Sequence, residues 1–365
     1  MTSAQQDLIG QLERAFSQAD IRQRAETLRR VTDLFVSGAG QFSGEQLDLF
    51  DEVMGRLVQE IDVSARATFG RRLVDVAQAP PRVIRGLALD DAIEVAEPVL
   101  SGSEQLDEET LLEGARTKSQ QHLLAISRRT VVAEPVTDVL VERGDREVAM
   151  STAGNAGAKL SEFGYATLVD RARGDGDLAL AMWVRPEIPR QHLLTLFGEA
   201  SDAVRQNLEG VDRAKGAMLR EVIAQASNRI QADLREGSPV YSAARARVIA
   251  LHEAGKLDEE RLAEFAGAGR FDEATIALSL MVDLPIGVVE RAIANQRSEQ
   301  ILVLAKSLGL SWETTKAVLL LQAGAKRSSA SELDESCETF ARLQPETAKK
   351  AIQFYRLRER AATSN

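Results

Sequence analysis

The residues able to do acid–base, nucleophilic or metal chemistry are few and scattered. The three histidines, His122, His192 and His252, each stand alone. There is no His-Glu-x-x-His spacing and no His/Asp pair at ligand spacing, so no metal site is legible. The single cysteine, Cys337, lies among Asp334, Glu335 and Glu338. Those acids oppose a negatively charged nucleophile, and a partly buried structural cysteine is the expectation. Carboxylates cluster at Asp90, Asp91 and Glu94, and again from Asp107 to Glu109. Glycoside-type acid–base work needs two carboxyls across a cleft, which sequence adjacency does not supply. An acidic first helical turn follows from the helix dipole alone. Gly154-Asn155-Ala156-Gly157 is the nearest approach to a phosphate-binding loop, but no strand precedes it and no Gly-Lys-Ser/Thr follows. It reads as a turn whose small residues allow close packing. Arg143-Gly144-Asp145 reads as a link between helices, with Asp145 capping the second. Arg128, Arg129, Arg143, Arg171 and Arg173 are candidates for a protein-contact surface facing an acidic partner. They do not form the compact basic stripe of a DNA-recognition helix. No catalytic, cofactor-binding or metal-binding residue is assigned.

The composition agrees with a helical, non-catalytic reading. Aromatics make up 4% of the 365 residues, and the net charge is -10. Ala, Leu, Glu, Arg and Gln lose little side-chain entropy in a helix. An all-β chain would show more Tyr, Trp, Thr and Val in alternation. The acidic balance counts against nucleic acid and anionic membranes as partners. One thiol excludes a disulfide framework and fits a reducing compartment. The first residues, Met1 to Asp7, lack the basic and apolar regions of a signal peptide. No apolar run reaches membrane-spanning length. A cytoplasmic location without membrane insertion is therefore expected.

The elements that would position these residues are short helices. Ser43 with Gln46 forms a capping box, and Phe42 with Leu47 a hydrophobic staple. A helix is expected over 63–79, and Pro81 suits the first position of the next. Pro98 belongs near a helix start or at a kink. Three segments open alike, at Leu106-Asp107, Leu160-Ser161 and Leu257-Asp258, each with an apolar residue before a capping side chain. Pro135, Pro189 and Pro285 follow at nearly equal distances, with two apolar helices before each and one after. Helical hairpins cannot bury their apolar faces alone, but stacked hairpins can. The expected fold is all-α, stacked hairpins forming an irregular α-solenoid; an irregular bundle is the alternative. The stripe Val211, Ala214, Met218, Val222, Ile223, Ala226, Ile230 and Leu234 marks a long helix, 211–236, separating two portions. It serves as a spine, a dimer surface or an ordinary packed helix. The domains are then an N-terminal repeat portion (1–205), the long helix with a second repeat portion (206–330), and a C-terminal helical region (331–365).

Four segments carry a resemblance: Val83 to Ala88, Ala92 to Leu100, Leu123 to Ser127 and Val136 to Asp145. They resemble the alphaproteobacterial family of unknown function numbered 2336 (DUF2336), over most of the chain and most specifically from Ile84 to Asn155. That family is in turn distantly similar to HEAT repeats. The resemblance implies a HEAT-like helical array, a bacterial cytosolic setting and no catalytic residue to carry over. Because such arrays usually bind proteins, the expected function is a non-catalytic protein-binding scaffold, with another protein as partner. The alternatives are a signalling or regulatory accessory acting through a homodimer formed by helix 211–236, and an enzyme built on a helical scaffold.

Overall fold

The computed structural model describes residues 21–38, 42–76, 78–185, 187–198, 226, 229–294, 298–322 and 330–363. Every regular element among them is a helix; one isolated parallel bridge joins Val132 to Ala158. The chain is all-α. It divides into two compact units, Met1–Gly164 and Tyr165–Asn365. The boundary expected near 206 lies outside the described residues, as does most of the helix expected over 211–236. Within that helix, 229–236 is described, and it is helical.

The first unit contains α1 (Ile21–Ser37), α2 (Gly44–Gln59), α3 (Val63–Leu73), α4 (Pro81–Ala88), α5 (Ile93–Gly102), α6 (Glu108–Thr117), α7 (Gln120–Ser127), α8 (Glu134–Arg143) and α9 (Arg146–Gly154). Each helix from α2 onward packs on the second helix after it. Thus α2, α4, α6 and α8 form one row, and α3, α5, α7 and α9 the other. Two rows of stacked helices are the solenoid arrangement, in which each hairpin covers the apolar face of the next. Leu57, Leu73, Leu87, Leu100, Leu123 and Leu140 are fully buried along the seam between the rows.

Local chemistry sets the helix ends. The Ser43 hydroxyl accepts from the Gln46 amide, and the Gln46 side chain accepts from the Ser43 amide. Asp62, Asp107 and Asp145 accept from the backbone N–H three residues on. Pro81 opens α4 as expected. One expectation needs correction. The helix begun at Val63 stops at Leu73, and the chain turns at Val74 and Asp75, well before Pro80. Pro98 lies inside α5, beyond its first turn, where it lacks the N–H that would bond the Glu94 carbonyl.

The second unit follows from α10 (Glu162–Arg171), whose first turn holds the division. It contains α11 (Gly176–Trp183), α12 (190–198), α13 (229–236), α14 (Pro239–Glu253), α15 (Glu259–Gly267), α16 (Phe271–Val282) and α17 (Ile286–Ala294). After these come α18 (Ser298–Leu308), α19 (Trp312–Gln322), α20 (Ala330–Arg342) and α21 (Pro345–Thr363). Its packing is irregular: α15 packs on both α16 and α19, while α18 carries both α20 and α21. It has its own core, with Val248, Leu262, Val289, Ile293 and Ile301 inside. All three repeat openings are capped. Asp107 accepts from the Thr110 amide at 2.8 Å, Ser161 from the Gly164 amide at 3.0 Å and Asp258 from the Arg261 amide at 3.0 Å. Pro135 falls in the first turn of α8; Pro189 and Pro285 immediately precede α12 and α17. Among the described residues no helix is long and apolar enough to cross a membrane.

Candidate interaction surfaces and a buried ion network

In the first unit the residues singled out for chemistry are occupied in joining helices. His122 is buried, with Nε2 donating to the Asp90 carbonyl at 2.9 Å and Nδ1 held by the Ser119 hydroxyl at 2.8 Å. Asp90 in turn binds Arg66 at 2.7 Å and accepts from the Ala92 amide. Asp91 pairs with Lys118, whose ammonium holds its carboxyl below the usual range. Asp107 is a helix cap. Among the described residues no three His, Cys, Asp or Glu side chains come together as a metal site.

The candidate arginines divide by role. Arg129 donates from Nη1 to the Leu100 carbonyl at 2.6 Å and from Nη2 to the Ser103 carbonyl at 2.8 Å, and so closes the C-terminal end of α5. Arg143 does the same for α6, donating to the Ala115 carbonyl. The side chain of Asn155 repeats the device one step along, donating to the Ser127 and Arg129 carbonyls at 2.8 and 2.7 Å at the end of α7. In each case a residue at or just past the end of one helix satisfies the orphan carbonyls of the helix two before it. Arg128 instead lies exposed between Glu97 at 3.7 Å and Glu147 at 4.0 Å. Arg171 and Arg173 belong to the second unit; Arg171 is half-buried, and Arg173 pairs with Asp170 at 3.4 Å. Burial holds the Arg129 guanidinium below its ordinary value, yet it stays charged and gains two hydrogen bonds. Arg129→Ala is expected to cost about 2–3 kcal/mol in a urea titration followed by circular dichroism, because two carbonyls lose their donor. Arg129→Lys should recover less than half of it, since one ammonium cannot span both carbonyls as a planar fork does.

Asp138 offers a pH-dependent test. Burial pushes its carboxyl up; the Ser161 hydroxyl, donating at 2.6 Å, pulls the other way, and Glu134 and Glu142 add to the rise. A carboxyl raised by folding binds its proton more tightly in the native state. It therefore subtracts stability as pH rises from the unfolded toward the folded value. Asp138→Asn keeps the acceptor for Ser161 and removes the buried charge. Its melting temperature should exceed that of the parent at neutral pH, with the gap closing as pH falls through the carboxylate range. A gap that is absent or independent of pH would refute this account.

The second unit holds a buried ion network that the sequence did not signal. The Arg190 guanidinium sits 4.7 Å from the Tyr241 ring centroid. Its Nε donates to Asp272 at 2.9 Å, and Nη1 lies 2.8 Å from Glu290. That Nη1–Oε1 contact is close but misaligned, so the attraction is Coulombic rather than a hydrogen bond. The other Glu290 oxygen accepts from Arg235 at 2.6 Å. Burial works against the charge on Arg190, but Glu290 and Asp272 outweigh it and hold the guanidinium above its ordinary value. Glu290 itself has no exposed surface. Two arginines against two carboxylates balance, and arginine does not exchange protons at ordinary pH. The network is thus suited to locking α12, α13, α16 and α17 together, not to acid–base catalysis. His192, in α12, is buried and stacks on Tyr165 with ring centroids 5.7 Å apart.

An apolar pocket of about 190 Å³ opens between α17, α18 and α21. Val288, Ala292, Val303, Leu304 and Ile352 form its walls, with Glu299, Gln300 and Tyr355 as polar members. On α21, Phe354 and Leu357 are each 67% exposed.

The family model described as "Uncharacterised protein conserved in bacteria (DUF2336)" matches residues 95–353, well over half of the chain. The chain belongs to the DUF2336 family. No curated protein and no solved structure matches it. The DUF2336 match begins inside α5 and ends inside α21. It contains the Arg129, Arg143 and Asn155 latches, all three repeat openings and the whole Arg190–Glu290 network. The exposed Phe354 and Leu357 of this DUF2336 member lie just beyond its matched end.

Proposed function

We propose that the chain is a non-catalytic scaffold that binds another protein. The observation that supports this reading is the two-row stacking of α2 to α9. Such an array offers a continuous surface longer than any one hairpin, and solenoids use such surfaces for binding. Its histidine and buried arginine are tied to backbone carbonyls, while Arg128 stands at the surface among acids with which a partner's carboxylates would compete. Arg128, Arg171 and Arg173 are the positions proposed for acidic partner groups, each within its own unit. Arg129 and Arg143 act as latches behind that surface.

Quantitative affinity capture from the native bacterium, comparing the parent chain with Arg128→Glu, tests this. The reading expects a partner recovered in constant proportion by the parent and reduced at least about tenfold by the variant, a loss of about 1.4 kcal/mol. The circular dichroism spectrum should be unchanged. A parent that recovers no partner reproducibly would count decisively against the scaffold reading.

A further inference from the structure

The apolar pocket of the second unit has a floor and a mouth of different chemistry. Leu284, Ala292, Leu304 and Ile352 are each at most 5% exposed and form the floor. Glu299 is exposed and Tyr355 is 39% exposed, which places both at the mouth. The volume of about 190 Å³ exceeds the roughly 150 Å³ at which an apolar cavity already takes a benzene ring. It falls short of the roughly 300 Å³ from which pockets take drug-sized molecules. Concave sites between helices, apolar inside with a few polar groups at the edge, are the kind that hold small molecules.

The charge at the mouth selects among small molecules. Among the described residues Glu299 has neither a side-chain hydrogen bond nor an ion pair. The described cations of the same three helices are turned elsewhere. Arg356 pairs with Asp283 at 3.8 Å, Lys349 pairs with Glu346 at 3.2 Å, and Lys306 donates to the Phe340 carbonyl at 2.8 Å. Arg291 lies beside Gly287 and Arg235, and Lys350 shares the outer face of α21 with Phe354, four residues on. Glu299 thus sets a carboxylate without a countercharge at the edge of an apolar hole. We infer that the pocket binds a small amine with an apolar body the size of one ring, the body on the floor and the ammonium beside Glu299. A carboxylate ligand of the same shape would meet repulsion there, and a neutral one would leave Glu299 without a countercharge. Tyr355, at the same edge, adds a ring that attracts a nearby cation. The inference does not depend on the scaffold reading.

Isothermal titration calorimetry of the full chain with phenethylamine, phenethyl alcohol and hydrocinnamate tests it. The three share a ring and a two-carbon stem and differ in the charge at the end. Phenethylamine should saturate one site with a dissociation constant below about 1 mM, and bind about tenfold more tightly than hydrocinnamate, with the alcohol between them. Added salt should narrow that gap by screening. Glu299→Gln, at an exposed position, should bring the amine to the affinity of the alcohol and leave the alcohol unchanged. Ala351→Leu enlarges a half-buried side chain of the pocket and should abolish binding of all three, with the circular dichroism spectrum and the urea transition showing that the fold holds. Val303→Leu fills the pocket from α18 and gives the same reading should Ala351→Leu not fold. A parent chain that shows no saturable binding of phenethylamine overturns the inference. So does binding that persists undiminished in the filled variants, which would place it elsewhere. Hydrocinnamate bound as tightly as the amine, or a preference for the amine that survives Glu299→Gln, overturns the assignment of the ligand as an amine.

Discussion

Glu290→Ala is expected to destabilise the second unit by about 3–5 kcal/mol, the usual cost of removing one partner from a buried ion pair. Glu290 is wholly buried between Arg190 and Arg235, and among the described residues only Arg190 has a second carboxylate, Asp272, in an ion pair. Without Glu290 the Arg235 guanidinium loses its 2.6 Å acceptor, and Arg190 retains half of its countercharge. Neither arginine can shed its proton to escape the penalty. The measurement is selective because both tryptophans, Trp183 and Trp312, belong to the second unit. A urea titration followed by tryptophan fluorescence therefore reads that unit, while circular dichroism reads both. Replacing Arg190, Arg235, Asp272 and Glu290 together by apolar residues of similar bulk should cost much less than Glu290→Ala alone. The desolvation of all four charges would then be relieved along with their attraction. A loss below about 1 kcal/mol for Glu290→Ala would mean that water reaches the network and that it does not lock the helices.

The fold was legible where one residue decides one helix end. Ser43, Asp107, Asp145, Ser161, Ser238 and Asp258 all cap as their types and spacing imply. Pro81, Pro135, Pro189, Pro239 and Pro285 all fall at helix starts. These are local rules, satisfied within one turn. Pro98 shows their limit: tertiary packing of Val95, Ala96, Val99 and Leu100, all fully buried, keeps a helix running through a residue that weakens it. The family resemblance rested on the stretch from Ile84 to Asn155, and most of that stretch falls within the matched range.

The side-chain roles were less legible because they depend on contacts about one hairpin apart. Arg129 and Arg143 look like surface cations in sequence; only the stacking of alternate helices brings a preceding carbonyl beneath each. Asn155 drew notice as part of a glycine-rich turn and not for its amide. The ion network gave no signal in the sequence. Asp272 and Glu273 open α16, where the helix dipole already explains acids, so nothing marked them as buried. Arg190 and Glu290 each lie one helix or more from their partners, and a single sequence carries no trace of such pairing. The exposed apolar pair Phe354 and Leu357 was hidden because its spacing is also that of an ordinary packed face. Which face a helix turns inward is fixed by its neighbours, here by α18.

Gly157→Ala is expected to cost the first unit about 3 kcal/mol, at the upper end of overpacking effects. A Cβ at this position would lie 1.8 Å from the Thr130 carbonyl oxygen, a backbone atom that no rotamer change can move aside. The backbone approach is close because Val132 donates to the Gly157 carbonyl at 3.0 Å and accepts from the Lys159 amide at 2.9 Å. Between them these two bonds form the parallel bridge that fastens the entry of α8 to the exit of α9. Asn155 secures the same turn by accepting from the Gly157 amide at 2.8 Å. A methyl group must therefore push the two segments apart and break several hydrogen bonds together. Gly154 makes the opposite prediction, since a Cβ there meets nothing within 4 Å. Gly154→Ala lies at a helix end with open space and should be neutral or slightly stabilising, by about 0.5 kcal/mol, through the entropy of the unfolded chain. The two alanine variants share a turn and a chemistry and differ only in what the new carbon meets. Circular dichroism in urea should separate them. The tryptophan transition, confined to the second unit with its own core, should move for neither. A Gly157→Ala variant as stable as its parent would show that the turn opens freely and that the bridge does not hold the rows together. A tryptophan transition that moves with it would show that the two units unfold as one.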